Sequence, residues 1–248
     1  MKKFLPLASA VLLAAAAAMP AQAALYTLSY GSVLSGPSNC DDCFAGPINF
    51  TGAGQSIDFF GANYGGLFVS SNGYVTFDAG FGNYVPQPLN TQTVGRMIAG
   101  LFTDLDSRND AASQVFANTS TNGEIVVTWL QMGHFSVDYS VRSTFQLVIR
   151  SDQFTVGAGQ GQIGFFYDSI TDGNIASAGF GDGLAAINPG EVAFASQVPG
   201  TSLSFDAARW YNLAGGTPTP SGVPEPASLA LVGLALLGAA ASRRQRRA

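Results

Sequence analysis

The 248-residue sequence predicts an all-β protein. One β-sandwich or barrel-like domain of many short antiparallel strands lies between a cleaved N-terminal signal peptide and a C-terminal transmembrane helix. Three observations predict this. From Ala24 to about Leu213 the apolar residues fall in runs of four to seven, rich in Val, Ile, Phe, Tyr and Thr and separated by Gly, Asn, Asp and Ser. No helical period of apolar residues stands out in that span. Two Asn-Gly pairs, Asn72-Gly73 and Asn122-Gly123, sit between such runs and read as hairpin turns.

In chain order, residues 1–23 read as a signal peptide. Lys2 and Lys3 form a positive start, Phe4 to Ala18 an apolar stretch, and Ala21-Gln22-Ala23 a small-residue cleavage site. Cleavage between Ala23 and Ala24 is expected. The domain follows at 24–213, with strands expected over Ser56–Phe60, Leu67–Ser70, Tyr74–Phe77, Met97–Phe102, Val115–Ala117 and Ile125–Leu130. Further strands are expected over Ser143–Ile149, Gln162–Tyr167, Ala176–Phe180, Val192–Ala195 and Ser202–Phe205. No internal repeat is visible. Residues 214–222, "AGGTPTPSG", read as a flexible linker closing the domain.

Charge excludes one class of partner. Between Ala24 and Gly222 there are five arginines, no lysine and fifteen Asp and Glu residues, a formal charge of −10. Such a surface repels phosphate backbones, so no nucleic acid partner is expected.

Cys40 and Cys43, in "NCDDCF", are the only cysteines. An even count in an exported chain argues for a disulfide across a tight loop. A redox C-x-x-C would need a helix N-terminus and a βαβ setting, and a metal site two more soft ligands. Asp104, Asp106 and Asp110, in "DLDSRND", are candidate Ca²⁺ ligands where a strand runs into a loop. Their spacing misses the EF-hand pattern, and the competing reading is a turn-capping acidic loop with Arg108 as its ion-pair partner. No other cofactor is implied.

No catalytic residue is assigned, and the protein is not expected to be an enzyme. His134 is the only histidine and no G-x-S-x-G nucleophile elbow occurs. Glu124 or Glu191 paired with an Asp would be needed for glycosidase chemistry, and nothing in the spacing favours that over surface charge. Trp129, Trp210 and the tyrosines are explained by core packing, with Tyr64, Tyr74 and Tyr84 as candidate exposed contact residues.

The tail answers where the protein goes. Ala227 to Ala241 is an uncharged apolar run of fifteen residues, short for a free-standing span, and "RRQRR" follows it. Arg243, Arg244, Arg246 and Arg247 form a basic stop that stays cytoplasmic, so the domain faces outward. The whole stretch "VPEPASLALVGLALLGAAASRRQRR" resembles the PEP-CTERM sorting signal of Gram-negative bacteria, with Val223, Pro224, Glu225 and Pro226 as its recognition element. The resemblance implies a stay in the inner membrane, processing by an exosortase, and a final place at the cell surface or in the extracellular matrix.

The domain resembles the nidogen-type extracellular domain. "GLFVSSNGYVTFDAGFG" (Gly66–Gly82) is similar to that family's strand, Asn-Gly turn and strand, and "RMIAGLFTDLDS" (Arg96–Ser107) to its hydrophobic–aromatic–Asp–x–Asp segment. "EIVVTWLQMGHF", "STFQLVI", "IGFFYDSI", "ASAGFGDG" and "RWYNL" follow in the family's order. This resemblance implies non-catalytic adhesion or a biofilm-matrix role, with a matrix polysaccharide or surface protein as partner. The alternatives are an exopolysaccharide-binding module and, third, a secreted hydrolase.

Overall fold

A computed structural model of the chain describes residues 24–92, 94–171, 173–184, 191–203 and 208–221. The expected signal peptide (1–23), the expected transmembrane run (227–241) and the sorting motif lie outside the described residues. Among the described residues the regular structure is all β, with two short 3-10 turns and no α-helix.

The strands form two large antiparallel sheets and a small ribbon. In the eight-stranded sheet, β1 (Ser32–Val33), β9 (Gln114–Asn118), β10 (Glu124–His134), β11 (Asp138–Arg150), β12 (Ile163–Ser169), β15 (Arg209–Ala214) and β16 (Thr217–Pro220) lie side by side, and β8 (Leu105–Asp106) pairs with the end of β10. The six-stranded sheet runs β14 (Glu191–Pro199), β13 (Ile175–Gly181), β7 (Met97–Phe102), β6 (Tyr74–Thr76), β5 (Gly66–Ser70) and β2 (Phe44–Asn49). A ribbon of β3 (Ile57–Phe59) and β4 (Ala62–Tyr64) closes one end of the core.

Alternation decides which side chains meet between the sheets. Ile125, Val127 and Trp129 of β10, Phe145, Leu147 and Ile149 of β11, and Ile163, Phe165 and Tyr167 of β12 join Val69, Val75, Ile98 and Phe180 of the other sheet in one buried cluster. The intervening residues Val126, Val148 and Phe166 face outward and are still buried, under Tyr26 and Trp210. The N-terminal segment lies over that face, where Gln146 Nε2 donates to the Thr27 carbonyl at 2.8 Å. So the middle of the eight-stranded sheet is covered on both sides.

Both Asn-Gly turns occur where expected. Gly73, with φ of +80°, joins β5 to β6, and a Cβ there would fall on the Leu101 carbonyl oxygen. Gly123, with φ of +74°, turns the chain from β9 into β10. Ten of the eleven expected strands form. The eleventh, Ser202–Phe205, is corrected: Gly200–Leu203 is a 3-10 turn that buries Leu203, and Phe205 lies outside the described residues.

The flexible linker is a second correction. Ala214 and Thr217 pair across Gly215 and Gly216, both at positive φ, and the hairpin adds β16 to the sheet. A Gly-Gly pair suits this tight turn because neither residue has a Cβ to clash. Pro218 and Pro220 are tolerated because β16 is an edge, where a missing N–H breaks no ladder. Ser221 is also held: its N–H donates to Trp210 O at 2.8 Å and its Oγ to Gln160 O at 2.9 Å.

Candidate functional site

Cys40 and Cys43 form a disulfide, with Cα atoms 6.0 Å apart. The loop it closes presents Asp41 and Asp42 toward the β5–β6 turn and the chain leaving β7. Ser71 fastens one side, donating from Oγ to the Asp41 carbonyl, while its N–H donates to Cys43 O at 2.8 Å. Ser107 fastens the other, donating from Oγ to Cys40 O at 2.8 Å.

Asn72 is the hub between them. Its Nδ2 donates to Asp42 Oδ1 at 2.9 Å and to Asn83 O at 3.2 Å, and its Oδ1 accepts the Leu105 N–H at 2.9 Å. The side chain is fully buried. Read from sequence, Asn72 is only a turn former; its second role shows only once three separate segments converge on it.

The aspartates of "DLDSRND" do not gather as a Ca²⁺ site. Asp106 is wholly buried and engaged by Arg108, whose Nη2 donates to Asp106 Oδ2 at 2.6 Å and whose N–H donates to Oδ1 at 2.9 Å. Burial works against the ionised carboxylate, yet the Arg108 bonds and the Val137 N–H hold Asp106 below the usual carboxylate range. Asp110 accepts Arg142 Nη1 at 2.6 Å and Ser113 Oγ at 2.9 Å. Against a burial effect that raises it, those bonds also lower Asp110. Arg108 is thus the ion-pair partner of Asp106, whereas Asp110 pairs with Arg142 instead.

Asp104 instead joins Asp41 and Asp42, one carboxylate oxygen of each lying within 4.8 Å of the others. Among the described residues these are the acidic side chains close enough to share a cation. Asp41 Oδ1 and Asp104 Oδ1 are buried with no hydrogen-bond donor. Burial, reinforced by Asp41 and Asp42, pushes Asp104 up to about 6. Burial and the charges of Asp106 and Asp42 also raise Asp41, while Arg108, 2.8 Å from Asp41 Oδ2, opposes this.

A raised carboxylate makes a stability prediction. The folded state resists ionising Asp104, so the penalty is present above its folded value and vanishes below the unfolded value. Asp104→Asn should raise stability at pH 7 by about 1–2 kcal/mol, allowing for solvent screening. The gain should shrink as the pH falls from 6 through 4 and be gone only below the unfolded value of 3.8. Urea melts of both proteins across that range check this, and a pH-independent difference refutes it.

Asp104 also lines an open groove of about 290 Å³. Tyr84, Val85 and Pro86 form one wall, and His134, Asn174 and Ile175 the other. His134 reaches the groove because β10 does not stop at Leu130. A register shift after Trp129, with Gln131 at positive φ, carries the strand on to pair Gly133 and His134 with Asp106 and Leu105. Asn174 Nδ2 donates to His134 Nε2 at 2.7 Å.

Of the three candidate contact tyrosines, the geometry keeps one in the open. Tyr84 is 47% exposed, whereas Tyr74 is fully buried with its hydroxyl donating to Phe81 O and Asn83 O. Tyr64 is half-buried and donates to Asp78 Oδ1 at 2.6 Å. Trp129 is core, and Trp210 packs on Phe166. Glu124 and Glu191 lie on different sheets; Glu124 accepts from Arg150 and Tyr26, and Glu191 accepts the Leu89 N–H.

The described residues thus place a disulfide-closed acidic loop close to an open groove on a two-sheet β domain. The chain belongs to the NIDO-related family, whose family model matches residues 18–209. The PEP-CTERM protein-sorting motif matches residues 222–247, marking an exported, cell-surface protein that is a substrate for exosortase. No curated protein and no solved structure matches the chain.

Proposed function

We propose that the exported domain is a non-catalytic component of the extracellular matrix, adhering to or organising that matrix through the groove beside Asp104. The observation that carries this reading is the pairing of a sorting motif with a NIDO-related domain that ends in an open, mixed apolar and acidic groove. Shallow surfaces with an exposed ring suit extended polymers better than small substrates, which are bound in enclosed pockets. The exposed Tyr84 ring offers a flat apolar face on which such a polymer can lie.

In this reading the apolar run 227–241 holds the precursor in the inner membrane, with the domain outside, until exosortase acts at Val223–Pro226. Replacing Pro224, Glu225 and Pro226 with alanine should leave full-length precursor in the membrane fraction and remove it from the surface. Normal surface display of that variant would sink the processing route. Binding is tested by sedimenting the protein with matrix from the producing cells: saturable co-sedimentation is expected, and its absence overturns the matrix role.

A further inference from the structure

The geometry points to a cationic amino sugar as the groove's occupant: a hexosamine unit with a free ammonium, its ring laid on Tyr84 and its ammonium directed to Asp104 beside the Asp41–Asp42 loop. This inference rests on the matrix-binding reading and names its ligand class.

Three observations carry it. The first is the groove itself, whose exposed apolar surface is Tyr84, Val85 and Ile175, at 47%, 43% and 46% exposure. Large apolar side chains left in water at one place call for a partner with an apolar face, and the C–H face of a pyranose is one. The second is the polar side. Asp104 lines the groove, and one carboxylate oxygen each of Asp41 and Asp42 lies within 4.8 Å of its own. Arg108 offsets only part of the charge of Asp41, Asp42, Asp104 and Asp106. An ammonium brings three donors and a positive charge, and its bonds to carboxylates are of the strong, charge-assisted kind.

The third is the domain's formal charge of −10 between Ala24 and Gly222, which repels uronate or sulfate polymers and attracts cationic ones. A bare divalent ion fits less well. Ca²⁺ wants six to eight oxygens and makes no use of an apolar wall. The groove's second wall, where Asn174 bonds to His134, offers amide and imidazole edges to the sugar hydroxyls.

The test uses the full chain in mild detergent and two probes, a fully deacetylated glucosamine oligomer and its N-acetylated counterpart, followed by titration calorimetry. The deacetylated oligomer should bind, and the acetylated one should bind roughly tenfold or more weakly, the factor carried by a lost charge-assisted bond. Asp104→Asn should weaken the deacetylated oligomer to the level of the acetylated one. Tyr84→Ala, at an exposed site that does not threaten folding, should weaken both. Equal binding of the two probes, binding that survives both substitutions, or binding of Ca²⁺ alone would each overturn the inference. Wild-type protein that sediments with matrix but ignores both oligomers would sink the amino-sugar assignment and leave the matrix role standing. Failure in both assays would sink both.

Discussion

Arg150→Met should destabilise the domain by about 3–5 kcal/mol, the cost of removing one partner from a buried ion pair. Arg150 is 1% exposed and lies directly across from Glu124, which is itself buried. Its Nε donates to Glu124 Oε2 at 2.8 Å, its Nη1 to Gly161 O at 3.0 Å and its Nη2 to the Tyr26 hydroxyl at 2.9 Å. The guanidinium carbon lies 4.6 Å from the ring centres of both Phe154 and Trp210, within cation–π range. Methionine fills much of that space but leaves Glu124 without its cation, and Tyr26 loses one of the bonds that hold the N-terminal segment over the sheet. The defect is electrostatic, so Arg150→Met combined with Glu124→Leu should recover most of the loss, because a buried pair can be replaced by apolar residues at little net cost. Arg150→Lys should recover little, since an ammonium cannot spread its donors in a plane. Denaturant unfolding of the four proteins checks this. A single variant within 1 kcal/mol of wild type would show that the pair adds nothing.

That cluster also marks the limit of what the sequence could disclose. The strands were legible because their signal is local: short β-branched and aromatic runs, broken by Asn-Gly at Asn72 and Asn122, need no knowledge of what packs on them. Arg150 falls just past the expected strand Ser143–Ile149, and nothing local joins it to Tyr26, 124 residues away. The carboxylate group was half legible. Asp104 drew attention through its neighbours Asp106 and Asp110, which the fold assigns to Arg108 and Arg142. Asp41 and Asp42 were read only as the filling of a disulfide loop, and it is the turn at Asn72 that brings that loop to Asp104. The linker was misread for a different reason. Gly, Thr and Pro are common to disordered segments and to edge hairpins, and only the Gly215-Gly216 pair, flanked by residues able to pair, separates the two.

Trp129→Ala should cost about 3–5 kcal/mol, as for other large buried aromatics, and Trp129→Phe about 1–3 kcal/mol. The difference between the two separates packing from a single polar bond. Trp129 is fully buried, stacked on Phe145 at 4.9 Å and 11°, and its Nε1 donates to Ser70 O at 2.9 Å. That bond runs from β10 in one sheet to β5 in the other. A second bond of the same kind runs from the Tyr167 hydroxyl on β12 to Gly100 O on β7, at 2.8 Å. Phe145 lies between the two donors, with its ring 6.3 Å from that of Tyr167. The groove depends on this joint, because Asp104 follows β7 in one sheet and His134 ends β10 in the other. Trp129→Phe and Tyr167→Phe should therefore couple by at least about 0.5 kcal/mol in a double-mutant cycle, since both act through the same ring. Losses that simply add would mean that each bond holds its own part of the joint, and that Phe145 transmits nothing between them.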